Sequence, residues 1–159
     1  MVEMELVGVR VEMPTNAPIV LLRETGGDHR TLPIFIGGPE ATAIAFALEN
    51  VDVPRPMTHD LLKDVIDDLG VRLDKVVVTE LRESTFYAEL HLIGPKGTSV
   101  VSSRPSDAVA LAVRVGCRIY VAEEVLEEAA TAPPEAGADD VVEQFREFID
   151  RVNPEDFAP

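Results

Sequence analysis

Three helix starts gather side chains that could do chemistry. They are Gly37-Gly38-Pro39-Glu40, Arg55-Pro56-Met57-Thr58-His59-Asp60 and Ser102-Ser103-Arg104-Pro105-Ser106-Asp107. Carboxylates are the ligands that Mg²⁺ and Mn²⁺ prefer, and Mg²⁺ commonly uses one or two of them with water completing its shell. Glu40, Asp60 and Asp107 are therefore the candidate metal ligands. An ion held there would activate water and neutralise a phosphodiester. His59, with an ordinary pKa near neutrality, suits a general base, and His59, Asp60 and Asp107 form the candidate catalytic set. Arg55 and Arg104 carry forked donors that match phosphate oxygens, and Ser106 joins them as a substrate-binding candidate. The same residues also have an ordinary use. Acids in a first turn favour the helix dipole, and Thr58, Ser103 and Ser106 are common N-cap types.

Two of these starts belong to an internal repeat. Glu40-Ala41-Thr42-Ala43-Ile44-Ala45-Phe46 returns as Asp107-Ala108-Val109-Ala110-Leu111-Ala112-Val113, each copy just after a proline. Strands are expected at Met4 to Met13, Ala17 to Arg23 and Thr31 to Ile36, followed by a helix from Pro39 to about Glu49. In the first strand Val7, Val9, Val11 and Met13 should share one face. A helix from Thr58 to Leu69 carries Leu61, Leu62, Val65, Ile66 and Leu69 on one stripe, and Gly70 ends it. Strands at Val71 to Leu81, Thr85 to Ile93 and up to Ser102 then lead into a helix from Pro105 to Val115. A short strand, Arg118 to Ala122, and an acidic helix, Glu123 to Ala130, complete the domain. The expected fold is α+β: duplicated β3α units whose alanine-rich helices lie adjacent at the centre, against an antiparallel or mixed sheet. Residues 1–130 form the domain, 131–138 a linker, and 139–159 a C-terminal helix and tail. That last helix shows Val141, Val142, Phe145, Phe148, Ile149 and Val152 on one stripe, which the domain or a second subunit must cover.

Lys and Arg number 14 against 29 Asp and Glu, a net charge of −15. Such a surface repels phosphate backbones, so DNA or RNA as a partner must overcome it, most readily through divalent metal. No apolar run approaches the roughly 20 residues that span a bilayer, so no membrane association is expected. Acids at Glu3 and Glu5 and the single Cys117 fit a reducing cytoplasm. Cys117 itself reads as a small buried hydrophobe. His29 and His91 read as structural or solvated. No HExxH, paired CxxC, P-loop, GxGxxG or GxSxG pattern occurs.

The segments Leu32-Pro33-Ile34-Phe35-Ile36-Gly37, Arg55-Pro56-Met57-Thr58-His59-Asp60-Leu61-Leu62 and Arg104-Pro105-Ser106-Asp107-Ala108-Val109-Ala110-Leu111-Ala112 resemble the bifunctional nuclease domain family. With Glu40-Ala41, they occur in the family's order, over roughly residues 4 to 130. The resemblance implies a small α+β domain, commonly a homodimer, with activity on both DNA and RNA. That activity is attached to plant members carrying additional segments. The family supplies no settled catalytic residues to transfer, so the site candidates rest on their motif positions. The expected function is a metal-dependent nuclease of low sequence specificity, using Mg²⁺ or Mn²⁺. The alternatives are a non-catalytic dimeric binding or regulatory module and a hydrolase of a small phosphorylated metabolite.

Overall fold

The computed structural model describes residues 1–132. The order is β1 (Val2–Glu12), β2 (Ala17–Glu24), β3 (Thr31–Phe35), α1 (Gly38–Leu48), α2 (Thr58–Asp68), β4 (Arg72–Arg82), β5 (Thr85–Gly94), β6 (Gly97–Ser103), α3 (Pro105–Val115), β7 (Arg118–Val121) and α4 (Glu123–Ala129). The strands make one seven-stranded sheet in the order β3-β2-β1-β7-β4-β5-β6. Each repeat contributes an antiparallel meander, and β7 joins the two halves, antiparallel to β1 and parallel to β4. The sheet is therefore mixed and the fold is α+β.

Helices α1 and α3 pack on each other and on the sheet. Ala41 to Phe46 and Ala108 to Ala112 are all buried. A helix that is apolar all round belongs in an interior, and alanine keeps the backbones close enough for the two to share one layer. Their start residues, Glu40 and Asp107, are thereby brought to the same end of the core. Pro39 and Pro105 occupy first-turn positions, where the missing N–H costs nothing. Gly116, with φ of 81°, ends α3 in the left-handed conformation.

Three details differ from the sequence pattern. The register of β1 against β2 shifts between Leu6 and Gly8, so Met4 and Val9 are both buried although their numbers differ in parity. Met13 lies beyond the strand and is exposed. Thr58, Ser103 and Ser106 are not N-caps: Met57, Arg104 and Gly37 occupy those positions, without side-chain caps. Ser103 Oγ instead donates to the Arg104 carbonyl at 2.9 Å. Finally, the apolar stripe of α2 stays largely in solvent, with Leu61, Leu62, Val65 and Leu69 exposed. Thr131, the first residue of the expected linker, pairs with Thr31 on β3. The rest of the linker and the C-terminal helix expected at 139–159 lie outside the described residues. Among the described residues no helix is long and apolar enough to cross a membrane.

Candidate functional site

Four of the candidate residues meet in a groove of about 700 Å³ between the starts of α1, α2 and α3 and strand β6. Asp107 holds the centre. Its Oδ1 accepts from His59 Nε2 at 2.8 Å, and its Oδ2 accepts from Arg104 Nε at 2.9 Å. Arg104 then donates through Nη2 to Glu40 Oε1 at 2.7 Å. The result is one chain of contacts, His59–Asp107–Arg104–Glu40, built from both repeats and from α2 between them. These two carboxylates hold the Arg104 guanidinium above its ordinary pKa, Glu40 contributing first and Asp107 next.

Local structure explains how each group arrives. Pro39 and Pro105 fix the first turns, so Glu40 and Asp107 stand at matching positions. Glu40 folds back over its own helix start, and only glycine at 37 leaves room, since a Cβ there would collide with Glu40 Oε2. His59 is buried on α2, which leans on α3 and carries the imidazole to Asp107. A carboxylate only accepts, so the Nε2–H belongs to His59. In the neutral ring the free lone pair then lies on Nδ1. Arg104, by contrast, is 63% exposed at its side chain and stands at the mouth of the groove.

Asp60 has other partners. Its Oδ1 accepts from Arg114 Nε at 2.7 Å and its Oδ2 from the Met57 N–H at 3.0 Å. Burial pushes the Asp60 carboxyl up, but these donors outweigh it and hold it below the usual carboxylate range. Arg55 lines a different cavity, with Asp60, Lys63 and Arg114. Ser106 is buried and lines a smaller cavity on the far side of Arg104, beside Phe35. Among the described residues no three His, Cys, Asp or Glu side chains converge as a ready metal cluster. The convergent oxygens are the pair on Arg104, from Glu40 and Asp107. Cys117 is half-buried, and burial pushes its thiol up to about 11, so it is a poor nucleophile at neutral pH.

Sequence reasoning missed Arg114. Its signal was present: it is the one cation on α3 and follows the apolar run Ala108 to Val113, and a cation drawn into such a helix needs an acid beside it.

Comparison with known proteins places the chain in a family. The profile described as bifunctional nuclease domain matches residues 20–134. An uncharacterized protein of Mycobacterium tuberculosis (strain ATCC 25618 / H37Rv) is 49% identical over 98% of this chain and 97% of its own length. Bifunctional nuclease 2 of Arabidopsis thaliana is 32% identical over 69% of this chain. Bifunctional nuclease 1 of Oryza sativa subsp. japonica is 30% identical over 71%. In both plant proteins the shared region is 34% of the whole length. The residues matched by that family profile, 20–134, include Glu40, His59, Arg104 and Asp107, and the chain belongs to the bifunctional nuclease domain family.

Proposed function

We propose that the groove binds and hydrolyses phosphodiesters of DNA and RNA with low sequence specificity, assisted by a divalent metal ion. The observation that carries this reading is the His59–Asp107–Arg104–Glu40 network on the groove wall. Asp107 orients His59 so that Nδ1 is the atom able to take a proton from an attacking water. Arg104, exposed and forked, is the group that meets a phosphate oxygen. Asp60 acts through position: tied to Arg114 and to the Met57 N–H, it fixes the α2 start that carries His59.

The donor set fits Mg²⁺ or Mn²⁺ at one place. Glu40 and Asp107 direct carboxylate oxygens at a single guanidinium nitrogen, 2.7 and 2.8 Å away, so the locus already accommodates a cation between them. A divalent ion held by these two would supply charge neutralisation and a Lewis acid for the phosphate, which a chain of net charge −15 requires. Arg104, freed from the carboxylates, would then be available to substrate.

The test compares highly purified wild type with Asp107→Asn on single-stranded DNA and RNA, with Mn²⁺, Mg²⁺ or EDTA. Metal-dependent cleavage that falls at least about 100-fold in a folded Asp107→Asn supports the reading. Equal activity in the two proteins sinks it.

We also propose that the protein is a homodimer built on β6. This strand lies at the sheet edge, pairs only with β5 among the described residues, and is almost wholly exposed. Its sequence, Gly97-Thr98-Ser99-Val100-Val101-Ser102-Ser103, has no charge or proline to discourage pairing. Opposed residues share a sheet face, so a second copy paired antiparallel about a twofold would set Val100 or Val101 against its own counterpart. The exposed Leu62 of α2 lines the same groove as Val101, which extends the apolar face.

A further inference from the structure

A second cavity, of about 350 Å³, adjoins the groove, and Arg104 lines both. Its walls are the end of β3 (Ile34 and Phe35), the turn into β5 (Ser84 to Phe86), and the start of α3 (Pro105 and Ser106). Phe35 is 69% exposed although it stands within a strand. A large aromatic ring left in water at a cavity rim stands out in a chain without tryptophan and with few aromatics. Ser106 is the opposite case. The residue is only 5% exposed, and its hydroxyl makes no hydrogen bond to any described residue. Ser106 lines the wall of this cavity. A buried hydroxyl without a protein partner normally belongs to a ligand or to water.

From these observations we infer that this cavity is a subsite for one unpaired nucleobase. The base stacks on Phe35, its edge meets the Ser106 hydroxyl, and its phosphate lies toward Arg104. Rigid aromatic faces accept every base, which matches low sequence specificity, whereas a base still paired in a duplex has no free face to offer. The inference rests on the phosphodiester reading of the neighbouring groove, and it adds the substrate class: strands with unstacked bases.

The experiment measures binding by fluorescence anisotropy, using the full chain with Mn²⁺ and a phosphorothioate-linked oligothymidylate that resists cleavage. An abasic oligomer of the same length and a duplex serve as comparisons. Wild type should prefer the base-bearing single strand over both. Phe35→Ala should weaken that strand about tenfold, within the usual worth of one stacked base, and leave the abasic oligomer unchanged. Phe35→Trp should restore binding. Ser106→Ala should weaken the base-bearing strand alone. The subsite is overturned if wild type binds abasic and base-bearing strands alike, or if Phe35→Ala weakens both equally or neither. Cleavage is scored separately. Hydrolysis without base preference removes the subsite and keeps the nuclease reading. Base preference through Phe35 without any hydrolysis keeps the subsite and removes the nuclease.

Discussion

Asp107 and Asp60 are two acids in equivalent first-turn positions, and their partners separate their roles. Asp107 spends one oxygen on His59 and the other on the exposed Arg104, so substitution should touch chemistry more than folding. His59→Gln should retain the fold and lose cleavage by about 100-fold or more, the usual worth of a positioned base, as checked by circular dichroism beside a gel assay. Asp60 faces Arg114 on the core side, and here the expected loss is stability. Arg114→Met leaves a part-buried carboxylate without its strong donor, which should cost about 2 kcal/mol, read from urea unfolding at pH 7. The pH dependence has a definite sign. Asp60 is held below its unfolded pKa, so its contribution is present above that value and is lost as pH falls through the lowered one. The gap between wild type and Arg114→Met should therefore close below about pH 4, and a gap that widens in acid contradicts the assignment.

Two glycines show how elements divide between site and scaffold. Gly37 is needed because Glu40 folds back over it. The Glu40 carboxylate ends a flexible side chain and can move aside, so Gly37→Ala should leave the melting temperature nearly unchanged. It should nevertheless displace Glu40 from Arg104 and, if the proposed metal site holds, reduce any stabilisation by added Mn²⁺, a change visible by thermal shift. A Cβ added at Gly116 would meet nothing, but the residue has φ of 81°. Gly116→Ala should cost about 1 kcal/mol of stability through backbone strain and leave the metal response intact. Most element boundaries were legible to within a residue or two, because turn glycines, first-turn prolines and apolar periodicity act locally. The facing of β1 was not legible. Its parity depends on a register shift that exists only when β1 pairs with β2.

At the scale of the whole molecule, surface charge and edge exposure decide behaviour. The β6 edge leads us to expect a dimer by light scattering, and Val100→Lys should return it to a monomer by placing a charge in the apolar seam. A wild type that is monomeric at high micromolar concentration contradicts the β6 interface. The net charge has its own consequence. Oligonucleotide binding should depend strongly on divalent metal and be weakened by EDTA, because few cations remain unpaired on the described surface. Most arginines are already committed to acids, as in Arg23 with Glu5, Arg30 with Glu24 and Glu123, and Arg82 with Glu80.

The sequence by itself determined the repeat, the strand and helix order, the buried alanine helices and the equivalence of Glu40 with Asp107. These follow from local propensity and from periodicity, which a linear text carries. Only the tertiary structure decided that Glu40, His59, Arg104 and Asp107 meet while Asp60 turns to Arg114, and that Phe35 stands beside Ser106 and Arg104. Such pairings join residues dozens of positions apart. They depend on how α1, α2 and α3 pack, a collective outcome of the whole core that spacing along the chain does not encode.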